Sequence, residues 1–255
     1  MNSPESNNVA ASPPAEMGPV AADLQGLWQR TNLTRANGMV DETTFVRWGQ
    51  VGRHYVDIRI PVEAAGAGPF GRVGFAGHID AGGGLCEWHR TIDFQPPNGG
   101  RDVVRVALSG ETLHEAGSPD VGSPATYDET FVRIKTGAQR AVALERDDGN
   151  ALLLMIDDVF LYAHQRPEPL PQHASLHDYV ATGASLERVY ACEISMGALD
   201  PGQRQLIISH SVNPLRKGCP LLFGGAAVQQ KWRVLLGVVD DALRPYLLPI
   251  EQGDQ

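Results

Sequence analysis

Positive charge is scarce in this sequence and nowhere clustered: 21 lysines and arginines stand against 30 aspartates and glutamates, a formal net charge of -9. Without a basic run the chain lacks the field by which proteins gather nucleic acid or anionic membrane, and both are set aside as partners. Cysteine is rarer still. Cys86, Cys192 and Cys219 are odd in number, far apart and outside any CxxC. Neither a disulfide framework nor a thiolate zinc site is indicated, and all three are expected to be small core residues. No stretch approaches the roughly 18 apolar residues of a membrane span, and the first residues lack a charged segment followed by an apolar one. The cytoplasm is the expected compartment. Also missing are a P-loop, a GxGxxG opening a helix, a GxSxG elbow and a paired-carboxylate motif, which removes the nucleotide, dinucleotide and α/β-hydrolase readings.

What is present is apolar material in short pieces. With 255 residues, 42% of them hydrophobic, the chain can bury a sizeable core as one large domain or two small ones. Residues 1–22, rich in Pro, Ser, Asn and Ala and without apolar periodicity, are expected to be a disordered leader, with folding starting near Leu24. From there, alternating or apolar runs are separated by Gly, Asp, Asn and Pro, the pattern of a many-stranded antiparallel protein. AVALE, ALLLMI and VFLYAHQ make the clearest meander, with Asp147-Asp148-Gly149-Asn150 and Asp157-Asp158 supplying its turns. Helical signals are few; SLHDYV, with Ser175 as N-cap, is the best of them.

A set of segments recurs in outline. LWQR, HYVDIRIP, GFAGHID and WHRTIDF are followed further on by TFVR, FLYAHQRP, VYACEIS and RQLIIS. Phe75 and Ile92 stand 17 residues apart, as do Tyr190 and Ile207, while the later set holds an insertion containing SLHDYV. This reads as a tandem duplication, with a first half at residues 23–122, a second at 123–250 and a tail at 251–255.

Gly26-Leu27-Trp28 matches the Gly-x-Trp signature that opens the first strand of lipocalin-like (calycin) barrels. The two-half layout resembles the small families of fused double-lipocalin proteins, one of them a yeast kinase-interacting protein. The chain is also similar to a set of uncharacterised bacterial proteins with strands of the YVDLRIP and WHRxIDFQPP type. The resemblance implies an all-β fold in which two lipocalin-like antiparallel β-barrel halves pack as one unit around apolar cavities. It implies no particular activity, because such folds host binders and enzymes alike. The chain departs from single-barrel lipocalins in its length and in having no disulfide framework.

If Ala81 to Gly84 is a hairpin loop, antiparallel pairing sets His78 across from Glu87 and Phe75 across from Arg90. Alternation then puts Phe75, Ile79, Cys86, Trp88, Arg90, Ile92 and Phe94 on one face, and His78, Asp80, Glu87, His89, Thr91 and Asp93 on the other. An arginine between Trp88 and Ile92 needs a partner, since an unpaired buried charge is costly. That partner is an internal carboxylate, an aromatic ring such as the Gly-x-Trp indole, or an anionic or carbonyl-bearing ligand. His78, Glu87 and His89 are either polar groups on a wet face or a base tuned by a carboxylate; as metal ligands, with Asp80 nearby, they lack a recognised spacing. In TTFVRWGQVGRHYVDIRIP a loop over residues 50–53 sets Trp48 across from Tyr55. Trp48, Tyr55, Asp57 and Arg59 then share a face suited to a polar pocket, while His54, Val56, Ile58 and Ile60 share a packing face.

Ionisable groups of the first copy are thinned in the second while apolar positions persist, so a ligand site belongs to the first half or to the junction, within reach of His164 and His210. The function expected is that of a cofactor-independent enzyme of hydrolase, isomerase or lyase type, acting in a β-barrel cavity on a small, largely apolar, carbonyl- or carboxylate-bearing metabolite. Asp57, Tyr55 and His89 are the catalytic candidates; Trp48, Arg59, Trp88 and Arg90 are the ligand-binding ones. The alternative is a non-catalytic lipocalin-like binder of an apolar ligand or a protein partner. No metal or other cofactor is expected; haem or a metal held through His54 or His164 is the lesser alternative. Self-association into a homo-oligomer is left open.

Overall fold

The computed structural model describes residues 18–62, 69–96, 99–171, 175–183, 185–202, 205–221, 231–241 and 243–244; most of the expected leader and all of the expected tail lie outside them. The alternating runs form strands. In chain order these are β1 (Gly26–Arg35), β2 (Val40–Asp41), β3 (Phe45–Val51), β4 (His54–Ile60), β5 (Val73–Gly82), β6 (Leu85–Asp93), β7 (Val103–Ser109), β8 (Thr112–Gly117) and β9 (Tyr127–Lys135). They pair antiparallel in the order β2-β1-β3-β4-β5-β6-β7-β8-β9, and β9 also pairs with β1, from Leu27 opposite Lys135 to Arg35 opposite Tyr127. With two-residue β2 as a flap beside β1, eight strands close an up-and-down barrel, which removes the exposed edges an open sheet would carry. The closing strand β9 lies beyond the expected division at residues 122 and 123.

A second antiparallel sheet follows: β10 (Ala141–Arg146), β11 (Ala151–Ile156), β12 (Val159–His164), β13 (Glu193–Asp200), β14 (Gln205–Ser211) and β15 (Trp232–Leu236), in the order β14-β13-β12-β11-β10-β15. The expected meander is its centre, and Asp157 takes the positive φ of 55° that the tight β11–β12 turn demands. Two short helices, α1 (Leu176–Ala181) and α2 (Leu186–Tyr190), separate β12 from β13. Ser175 caps α1 as expected, its Oγ accepting from the Asp178 backbone N–H at 3.1 Å. Tyr190 belongs to α2, so the strand expected through VYACEIS begins only at Glu193. Among the described residues no helix is long and apolar enough to cross a membrane.

The apolar residues gather in three clusters: inside the barrel, between the barrel and the second sheet, and on the far face of that sheet. Val56, Ile58, Ala76 and Ile92 on the outside of the barrel meet Leu154, Leu161, Ile194 and Met196. Cys86 and Cys192 are core residues and Cys219 is partly exposed; burial pushes the thiol pKa of both buried cysteines upward.

Both hairpins that matter for the site turn more tightly than the sequence suggests. Gly83 and Gly84 (φ 60° and 77°) make a two-residue turn, so Leu85 pairs with Gly82 and His78 with His89. In the β3–β4 hairpin Trp48 faces Asp57 and Gln50 faces Tyr55. Each shift is two residues, which preserves the faces. A β-bulge in β6 does not preserve them. Gly77 pairs with Arg90 but Ala76 with Ile92, leaving Thr91 as the extra residue. Only glycine fits at Gly77, because a Cβ there would lie 1.9 Å from the His89 carbonyl oxygen. Beyond the bulge Ile92 and Phe94 join the core between the layers, and Asp93 turns inward beside Arg90. The expectation that Arg90, Ile92 and Phe94 share one face is thus corrected: strict alternation ends at Thr91.

The β13–β14 hairpin has the same device. The register shifts between Met196 and Gly197, Ser209 is the extra residue, and a Cβ on Gly197 would lie 1.9 Å from the Ile207 carbonyl oxygen. Thr91 Oγ1 donates to the Ala76 carbonyl at 3.4 Å, and Ser209 Oγ to the Met196 carbonyl at 3.2 Å.

Candidate active site in the barrel mouth

Five of the eight barrel strands run, on the interior face, from an apolar or aromatic residue at the floor to an ionisable one at the same open end. Period-2 alternation carries Trp28 to Arg30 on β1, Tyr55 through Asp57 to Arg59 on β4, and Trp88 to Arg90 on β6. It carries Leu113 to Glu115 on β8 and Phe131 through Glu129 to Tyr127 on β9. The floor is solid. Trp28 stacks on Trp48 at 5.5 Å between ring centroids, and Trp88 meets Trp48 edge-on at 5.0 Å and Tyr55 at 4.8 Å. Trp28 is closed off from below by the Arg133 guanidinium, 4.5 Å from its ring.

Above this floor lies a cavity of about 360 Å³ whose walls include Arg30, Arg59, Arg90, Asp102, Glu115 and Glu129. Arg30 donates to Glu129 Oε1 at 2.8 Å and to Asp41 Oδ2 at 2.7 Å. Arg59 donates to the same Glu129 oxygen at 3.1 Å and through Nε to Asp57 Oδ1 at 2.8 Å. Arg90 donates to Asp102 and to Asp93 Oδ2, the latter at 3.3 Å, and lies 3.7 Å over the Phe75 ring. Its partners are therefore internal, two carboxylates and a ring, and its side chain is 31% exposed in the mouth rather than enclosed in an apolar chamber. The wall is thin there: β6 and β7 pair only from Leu85 opposite Arg105 to Glu87 opposite Val103, and the Arg90–Asp102 pair closes the gap beyond.

Glu115 and Glu129 stand directly opposite each other on β8 and β9, both buried. Burial first, and Glu129 second, push the Glu115 pKa up to about 8 against the opposing pull of Arg59. Tyr127 donates to Glu115 Oε1 at 2.9 Å, and burial with Glu115 and Glu129 nearby raises its phenol pKa. Burial likewise raises Asp57, opposed by Arg59. Burial pulls the Arg59 pKa down, but Asp57 and Glu129 outweigh it and hold the guanidinium firmly charged. Two buried polar atoms of the mouth and its floor, Tyr55 Oη and Glu129 Oε2, have no hydrogen-bond partner among the described residues.

Of the residues expected from the sequence, Arg59, Trp88 and Arg90 line the mouth, and Asp57 is bonded to Arg59 within it. Tyr55 and Trp48 share that interior face but belong to the packed floor. His89 is not brought in. Alternation turns it outward, where it stacks on His78 at 4.7 Å, approaches Asp80 Oδ2 at 3.1 Å and lines a neighbouring hollow of about 390 Å³. Glu87 is bonded to Arg101 rather than to a histidine. Among the described residues no three His, Cys, Asp or Glu side chains are grouped to hold a metal ion. Arg30, Asp102, Glu115, Tyr127 and Glu129 are mouth residues the sequence reading did not single out. Their signal is the one that marks Asp57 and Arg59, an ionisable side chain two positions from a buried apolar one; for Tyr127 and Glu129 it is hidden by the expected division of the chain at residues 122 and 123, which puts β9 in the second half.

No protein-family model matches the chain, and no curated protein sequence matches it. Among solved structures the chain is similar to an uncharacterized protein, YLR301w, of Saccharomyces cerevisiae, with a TM-score of 0.54 at 15% identity, over 84% of this chain and 98% of that one. At that identity the likeness speaks for the barrel-and-sheet fold alone.

Proposed function

We propose that the barrel mouth is the active site of a cofactor-independent enzyme that moves protons on a small carbonyl-bearing metabolite, an isomerase in type. The observation that carries this reading is the facing pair Glu115 and Glu129. With a pKa near 8, Glu115 is a carboxylic acid at neutral pH, able to protonate a carbonyl oxygen. Glu129, fixed by two guanidiniums on one oxygen, offers its free Oε2 to the proton on the adjacent carbon. Glu115 gives its proton to the carbonyl oxygen as Glu129 takes the one on the adjacent carbon, forming a dienol or enediol. Glu129 then returns its proton to a different carbon while a hydroxyl proton of the intermediate goes back to Glu115, so the carbonyl reforms and both side chains are restored. Asp57 and Arg59 position Glu129, Arg90 and Trp88 wall the mouth, and Tyr55 Oη waits beneath them. The saturation of Arg30, Arg59 and Arg90 by carboxylates favours a second reading, a binder without chemistry.

The finer kinship is part of this proposal. Arg133 over the Trp28 indole and the eight-stranded meander support a lipocalin-like first half. The recurring bulge at Thr91 and Ser209 supports a duplication. Aligned on that bulge, Trp88, Arg90 and Asp93 correspond to Leu206, Ile208 and Ser211, so the charged mouth belongs to one copy only. Native mass spectrometry of freshly purified protein, followed by turnover or solvent-deuterium incorporation with any retained carbonyl compound, tests the function. Glu115→Gln is expected to slow exchange by about 10²–10⁴-fold while the fold persists; unchanged exchange in that variant ends the acid/base reading and leaves the binder.

A further inference from the structure

Resting on the second reading of the mouth, a binder without proton transfer that leaves Glu129 Oε2 free for a ligand group, we propose that the molecule it takes carries a positive charge, an ammonium or amidinium group seated against that oxygen. Three features of the cavity converge on this. First, Glu129 Oε2 is a buried acceptor with no donor, on a side chain 1% exposed that lines the cavity. A buried carboxylate oxygen left without a hydrogen bond is expensive, and a ligand that supplies the donor recovers the cost.

Second, the arginines have little to offer an anion. Arg30, Arg59 and Arg90 each donate to two carboxyl groups, so an incoming carboxylate would have to displace one already in place. Arg35, the remaining cavity arginine, is exposed at the rim, where water screens it. Third, the charges do not balance. Four guanidiniums stand against six carboxyl groups, four of them lining the cavity and Asp57 and Asp93 bound to its arginines. Even with Glu115 protonated, the mouth keeps an excess of negative charge. The sequence left the partner of Arg90 open between an internal carboxylate, an aromatic ring and an anionic or carbonyl-bearing ligand; the structure supplies it from within, with Asp93, Asp102 and the Phe75 ring.

The groups facing Glu115 are Tyr127 and Glu129 from β9, Arg59 from β4 and Asp102 at the start of β7. Loss of the Glu115 proton on raising the pH adds a negative charge beside the seat, so a cation should bind more tightly and an anion more weakly in alkali.

Calorimetric titration of the full chain with benzamidinium, benzamide and benzoate tests this, since the three share a shape and differ in charge. Benzamidinium is expected to bind at least about tenfold more tightly than benzoate, with benzamide between them. Its affinity should rise from about pH 6 to about pH 9, and Glu115→Gln should flatten that rise while keeping the charge order. Benzoate or benzamide binding as tightly as benzamidinium overturns the cationic ligand and leaves the mouth as a ligand site. A pH slope unchanged in Glu115→Gln overturns the seat beside Glu129. Absence of binding by all three at millimolar concentration, with the protein folded by circular dichroism, removes the mouth as a site and this inference with it.

Discussion

Glu115 illustrates what a barrel interior does to one carboxyl group. Two residues from buried Leu113 and opposite a second carboxyl, it is easier to keep protonated than to ionise. The consequence for stability has a definite sign. Below the ordinary value of 4.5 folded and unfolded chains both hold the proton; between 4.5 and about 8 only the folded chain does. Raising the pH through that window therefore draws the equilibrium toward unfolding, and the stability this group contributes is fully present below the window and gone above it. Thermal midpoints measured across it should fall with pH in the wild type and fall less in Glu115→Gln. Parallel curves for the two proteins would mean that Glu115 titrates normally. At this scale the sequence was informative about Asp57, Arg59, Trp88 and Arg90, whose faces follow from alternation. It was silent about Glu115 and Glu129 as a pair, because the register that sets β8 against β9 across residues 118–126 cannot be read from either strand alone.

Among elements, the bulged hairpin of β5 and β6 decides most. One extra residue, Thr91, sends Asp93 to the mouth and Ile92 to the core between the layers. The bulge depends on the missing side chain at Gly77, where a Cβ would fall 1.9 Å from the His89 carbonyl oxygen. Gly77→Ala should cost about 1–3 kcal/mol, read from the shift in the urea midpoint at constant slope, because the backbone must yield where no flexible side chain can. A stability equal to wild type would show that the hairpin accommodates the methyl and that the bulge is not held by this glycine. A period-2 reading carries through a strand but has no way to see an inserted residue, which is why the face predicted for Ile92 and Phe94 failed while that for Trp88 and Arg90 held. The tight turns are visible as glycines and aspartates; the two-residue length is legible at Asp157-Asp158 but not in the β3–β4 and β5–β6 hairpins, where the sequence suggests four-residue loops.

For the whole molecule, the barrel and the second sheet share a core. Ile58, Ala76 and Ile92 from one and Leu154, Leu161 and Ile194 from the other lie in a single apolar cluster, so neither layer can expose its face without stripping its neighbour. Unfolding should accordingly be one cooperative transition. Tryptophan fluorescence, dominated by Trp28, Trp48 and Trp88 of the barrel, should report the same urea midpoint as far-UV circular dichroism, which sees both sheets. Separate midpoints would mean that the sheets are independent units. The sequence by itself determined the all-β class, the central meander, the helix capped by Ser175 and the sorting of side chains into apolar and ionisable faces, since each of these follows from contacts a few residues long. Only the tertiary structure decided that β9 returns to close on β1, placing Glu129 against Arg30 across 99 residues of chain, and that all the ionisable ends meet at one mouth. Such pairings are chosen by the apolar surface that closure buries, a property of the assembled whole that no local pattern encodes.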